Sequence, residues 1–136
     1  MSSSAKLLCG IILFIIPMIS AADALFLGML KKRNNISFTE FQKSMFREGR
    51  EHAGMFIILS LIAQVLADYT VLNGILEWYI RIGFPLAAVL ISSSFFLAAM
   101  ENGATKPNKL IAIRYVGSFL LMSSLITLGV GLIWSR

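Results

Sequence analysis

Charge, cysteine and histidine are all scarce in this chain of 136 residues. Only 14% of the residues are charged, while 57% are hydrophobic and the mean hydropathy is +0.81. The single cysteine, Cys9, excludes an intrachain disulfide and reads as apolar filler of the first helix. The single histidine, His52, excludes a metal centre built from several imidazoles of one chain. There is no internal repeat and no low-complexity stretch. Seven acidic residues against twelve basic ones give a net charge of +5. In a soluble protein that excess would suggest a nucleic-acid partner. Here the basic residues cluster between apolar runs, as membrane insertion requires, so the bilayer is the expected partner and no nucleic acid is.

What the chain has in abundance is long apolar runs, at roughly 7–30, 53–76, 82–100 and 110–134. About 20 apolar helical residues cross a bilayer core, and in lipid a helix satisfies its own backbone. These runs leave no room for a separate soluble domain. The expectation is an all-α integral membrane protein: a single domain over 1–136, folded as an antiparallel bundle of four transmembrane helices. The start of the chain also resembles a secretory signal, with Lys6, an apolar stretch and the small residues Ser20-Ala21-Ala22. The apolar run continues through Leu30 before Lys31-Lys32-Arg33 ends it, which favours an uncleaved span. Cleavage of residues 1–22 stays an open alternative.

Orientation follows from the basic residues. Lys31, Lys32, Arg33, Lys43, Arg47, Arg50, Lys106, Lys109 and Arg114 fall in or beside loops one and three, whereas only Lys6, Arg81 and Arg136 fall at the termini and loop two. The imbalance predicts cytoplasmic loops one and three, with both termini outside. Loop one holds Ser37 with Glu40 three residues on, the pattern of a helix start. Phe38, Phe41, Met45 and Phe46 then recur at near-helical spacing, which predicts a short amphipathic helix over 37–50 along the cytoplasmic membrane face. Asn73-Gly74 marks a break after the second span, and Trp78 and Tyr79 suit an outer aromatic belt. Asn102-Gly103 and Pro107-Asn108 mark turns in loop three. Gly117, Gly129 and Gly131 in span four, and Ala87, Ala88 and Ser92-Ser93-Ser94 in span three, predict close helix packing.

Polar groups inside spans are costly and call for a partner or a purpose. Asp23 and Arg114 lie at similar depths, so a pair between them is expected, against the alternative that Arg114 reaches the interface and Asp23 faces a hydrated cavity. Gln64 and Asp68 share one helix face, with Asp68 marking the outer interface. His52 opens span two, beside the small Ala53 and Gly54. A neutral imidazole is a common metal ligand and binds haem iron. Arg47 and Arg50 lie just upstream, where guanidinium groups would suit haem propionates. The competing reading of His52 is an ordinary polar helix terminus.

The element Arg50-Glu51-His52-Ala53-Gly54, opening the second of four spans after a longer first loop, resembles that of the styrene oxide isomerase group of small membrane enzymes. The resemblance implies a haem b on His52 as axial ligand, a homotrimer with haem between subunits, and a ferric Lewis acid that opens an epoxide to an aldehyde. The chain departs from the family at Ile58, where the family has asparagine, and in span three, which lacks the family's aspartate and tyrosine. Asp23, Gln64, Tyr115 and Phe96 are then the candidate pocket groups, with Asp23, Gln64 and Tyr115 the catalytic candidates toward a small apolar substrate. Two alternatives stand beside this haem-dependent isomerase: a non-catalytic membrane subunit or scaffold, and a haem sensor or electron carrier. A single histidine per chain disfavours the last.

Overall fold

The computed structural model describes residues 1–34 and 38–136, apart from the side chains at 19, 20, 22, 23, 26, 30, 31, 33 and 34. Every regular element among the described residues is helical. The order is α1 (Ser3–Asn34), α2 (Glu40–Ala67), α3 (Ile75–Ala98), a 3₁₀ turn (Lys109–Ala112) and α4 (Ile113–Trp134). Among the described residues, three helices are long and apolar enough to cross a membrane: Glu40–Ala67, Ile75–Ala98 and the combined Lys109–Trp134. In α1 the described apolar stretch is Ser3–Met18.

The segment expected to lie along the membrane face is instead the first part of α2, continuous with the second apolar run. Ser37, expected to cap it, lies outside the described residues. The cap is Thr39, whose side chain accepts from Gln42 N while Gln42 Oε1 accepts from Thr39 N, both at 3.1 Å. Gln42 is buried because its amide also donates to Ala99 O and Glu101 O, at 3.0 and 2.9 Å. These bonds tie the start of α2 to the end of α3. The aromatic stripe follows the same pull. Phe46 is buried, edge-on to Phe38 and stacked on Phe96 with ring centres 5.9 Å apart. Gly49 permits that stack: a Cβ there would stand 2.7 Å from the Phe96 ring.

α2 ends at Ala67, sooner than the apolar run does, and α3 begins at Ile75. Gly74 makes the turn possible with φ +62°, a conformation costly for a residue with a side chain. α3 is the central helix, packed between α2 and α4, with α1 lying against α2 and α3. Ala63 and Ala67 of α2, Ile80 and Phe84 of α3 and Leu128 of α4 form the buried core. The small residues do the packing expected of them at several points. Gly117 fits against Leu90 and Ile91, Gly83 receives the Ser124 side chain and Gly131 fits against Leu72, whereas Gly129 faces open space. Such close approach takes the place of a hydrophobic driving force, which is absent between helices in lipid.

Candidate functional site

Two polar regions of the α2–α3 pair stand out, one at the turn between the helices and one around His52 near the middle of α2. At the α2–α3 turn, Arg81 is 1% exposed, and each end of its guanidinium is held. Its Nε donates to Glu77 Oε1 at 2.9 Å and its Nη2 to Asp68 Oδ1 at 2.6 Å. Nη1 donates to Gln64 O at 3.2 Å, a carbonyl at the C-terminal end of α2 where a cation is favoured. Asp68 also accepts from Ser2 N and Ser2 Oγ, at 2.6 and 2.7 Å. Asp68 caps α2 just past its last residue, outside the helical span. Burial raises its pKa, but the hydrogen bonds from Ser2 and Arg81 outweigh that and hold the carboxyl down at about 2.

Gln64 is fully buried in the same cluster. Its amide donates to Arg81 O at 2.7 Å. That carbonyl lacks its helical donor, because the residue four further on is Pro85, which has no N–H. Gln64 therefore repairs the break in α3. It stands twelve residues beyond His52, about 18 Å along the helix.

Near the middle of α2, His52 is half-buried, with 30% of its side chain exposed. Its ring stacks on Phe95, centres 4.8 Å apart, and tilts against Phe56 at 5.7 Å. Nδ1 lies 2.8 Å from Glu48 O, the carbonyl one turn earlier. A carbonyl only accepts, so Nδ1 carries the proton of the neutral ring and Nε2 holds the lone pair. Nε2 has no hydrogen-bond partner among the described residues. A bond of this kind, from the nitrogen that does not ligate, fixes the tautomer and orientation of a ligating imidazole.

Arg47 and Arg50 do not join His52 within one chain. Arg47 and Arg50 are exposed, and α2 is a regular helix there, which sets them about 140° and 160° round the axis from His52. Tyr115 is exposed, and its hydroxyl accepts from Arg114 Nη2 at 3.2 Å. The Arg114 guanidinium also sits 5.0 Å over the Tyr115 ring. The side chain of Asp23 lies outside the described part, so its expected pairing with Arg114 does too. No cluster of three or more His, Cys, Asp or Glu able to hold a metal occurs among the described residues.

Sequence reasoning missed two features. One is the Arg81–Asp68 pair, 13 residues apart across the turn. The other is an apolar cavity of about 260 Å³ between α1, α2 and α3, floored by Phe96 and bordered by Ser60, Ser92 and Ser93. His52 does not line it, and Ile57, which does, lies about 140° round α2 from His52. Phe96, expected in a pocket, does line this one. No protein-family model, curated protein or solved structure matches the chain.

Proposed function

We propose that this chain is a four-span, antiparallel helical membrane protein that holds a haem b through His52. The observation that carries the reading is the preset imidazole: Nδ1 engaged by Glu48 O, the ring braced by Phe95, and Nε2 without a partner. A single imidazole suits an iron with one open coordination position. Bound there, haem would supply a Lewis acid for the oxygen of a small apolar substrate such as an epoxide, the rearrangement that the resemblance to styrene oxide isomerases implies.

The donor set fits haem at a contact between copies better than inside one chain. Met55, Leu59 and Ile62 give the His52 side of α2 an apolar surface, and Met55 and Ile62 are exposed. Arg47 and Arg50 face away from their own His52, so propionates would meet the arginines of a neighbouring copy. A homo-oligomer, a trimer by resemblance, follows from that arrangement. Among the chain's own groups, His52 binds, Glu48 O orients it, and Phe95 holds the ring plane. Loops one and three are assigned to the cytoplasm and both termini to the outside, from the distribution of Lys and Arg.

A second reading is a non-catalytic membrane subunit. The observation in its favour is the scattering of the expected catalytic groups: Gln64 is consumed by Arg81 and Tyr115 by Arg114. An absorption spectrum of the purified protein expressed with haem supplementation separates the two. The haem reading expects a Soret band in the wild type that is lost in His52→Ala. No band in either protein leaves the subunit reading as the better account.

A further inference from the structure

α1 is held differently from the other helices. Among its described side chains only Ala5 and Ile12 are buried. Its glycines, Gly10 and Gly28, meet nothing within 4 Å, whereas Gly49, Gly83, Gly117 and Gly131 each seat a side chain of a neighbouring element. Close approach is what holds helices together in lipid, so the grip on α1 is slight.

Two features bound its first half. At the tip, Ser2 N and Ser2 Oγ donate to the Asp68 carboxylate at 2.6 and 2.7 Å, and Ser2 Oγ accepts from Arg81 Nη2 at 3.3 Å. Fifteen residues on, Pro17 leaves Leu13 O without its helical donor. No side chain among the described residues replaces that donor, in contrast to Gln64 at Pro85. Helices bend most readily at proline. Between the tie and the break lie Ile12 and Ile15, the α1 residues that wall the apolar cavity against Ala53, Ile57 and Val89. Ile15 and Val89 are 38% and 53% exposed, so this wall stands at the edge of the bundle.

We propose that the first half of α1 is a lateral gate, latched by Ser2 on Asp68 and hinged at Pro17. When it swings out, the cavity becomes continuous with the acyl chains of the leaflet nearest the α2–α3 turn. The gate takes the bundle as membrane-embedded and does not rest on the haem reading.

The test measures distances between nitroxide labels by pulsed electron resonance, on the full chain in lipid nanodiscs. The background is Cys9→Ser, and labelled protein is diluted with unlabelled protein so that only distances within one chain are read. One label sits at Ile126→Cys on α4, and the other at Leu7→Cys, Ile11→Cys or Leu25→Cys; all four positions are lipid-exposed. A second, longer distance is expected at Leu7 and Ile11. The shift should be larger at Leu7, about 15 Å from the hinge, than at Ile11, about 9 Å from it. Leu25, beyond the hinge, is expected to give one unchanged distance. Ser2→Ala should raise the ratio of open to closed about fivefold, the effect of one net hydrogen bond. Pro17→Ala, which restores a donor for Leu13 O, should lower it by a similar factor. A single distance at Leu7 and Ile11 that Ser2→Ala leaves unchanged overturns the gate. A shift at Leu7 alone also overturns it, since that is fraying of the first turns. An equal shift at Leu25 overturns the hinge, because the whole helix then departs together.

Discussion

Two regions of the α2–α3 pair, the turn around Arg81 and the stretch around His52, use their polar residues in opposite ways. Around Arg81 the described polar groups close on one another. The guanidinium meets Asp68, Glu77 and the end of α2, and Gln64 meets the carbonyl that Pro85 strands. Around His52 the bonding is left incomplete: one imidazole nitrogen has no partner among the described residues. A closed network holds helices together in lipid and has nothing left to offer a ligand. Incomplete bonding contributes little to the fold and leaves donors and acceptors available for chemistry. Substitutions should therefore cost most in the first region and least in the second.

The sharpest break of that comparison is Arg81→Leu. It leaves Glu77 without its cation and Asp68 with only the Met1 ammonium, 3.8 Å away, and removing one member of a buried pair costs about 3–5 kcal/mol. Unfolding in mixed micelles, followed by loss of helical signal, should show a loss of that order. Gln64→Leu keeps the volume and strands Arg81 O again, so a smaller loss of about 1–3 kcal/mol is expected from the same measurement. If Gln64→Leu proved neutral, Pro85 would have to be accommodated by some other donor.

Acid should weaken the same region selectively. Asp68 is held at about 2 in the fold, below its ordinary value near 4. A depressed carboxyl contributes its full stabilisation above about pH 4 and loses it as pH falls toward 2. The shift corresponds to about 2 kcal/mol. Stability of the wild type should fall across that window, while Asp68→Asn starts lower and stays flatter. Parallel pH profiles for the two proteins would place the acid-sensitive group elsewhere.

This network also marks where the sequence stopped being legible. The apolar runs announced helices of membrane-crossing length because length and apolarity are local properties. The amphipathic stripe at Phe38, Phe41, Met45 and Phe46 was legible as helical but not in its destination. Phe96, which covers Phe46, lies 50 residues on, and Gly49 makes room for it. Depth alone suggested pairing Asp23 with Arg114, a pairing that lies outside the described residues. Depth could not reveal that the α2–α3 turn brings Asp68 onto Arg81. One signal was present and unread: a proline inside a span strands a carbonyl, and a lone glutamine on the adjacent span is a natural donor for it. At the candidate site, His52 stood out as the only histidine.

The smallest effect should come from His52→Phe in protein purified without haem. Phenylalanine keeps the ring that stacks on Phe95 and loses only the two nitrogens. Glu48 O already serves as a helical acceptor, so the bond from Nδ1 adds little to α2, and the site is part-exposed. A change of less than about 1 kcal/mol is expected in the micelle titration that reports Arg81→Leu. On the proposed reading the residue is held for a ligand at Nε2, so packing should be indifferent to its loss. A loss as large as that of Arg81→Leu would reverse this conclusion and make His52 one more element of the structural framework.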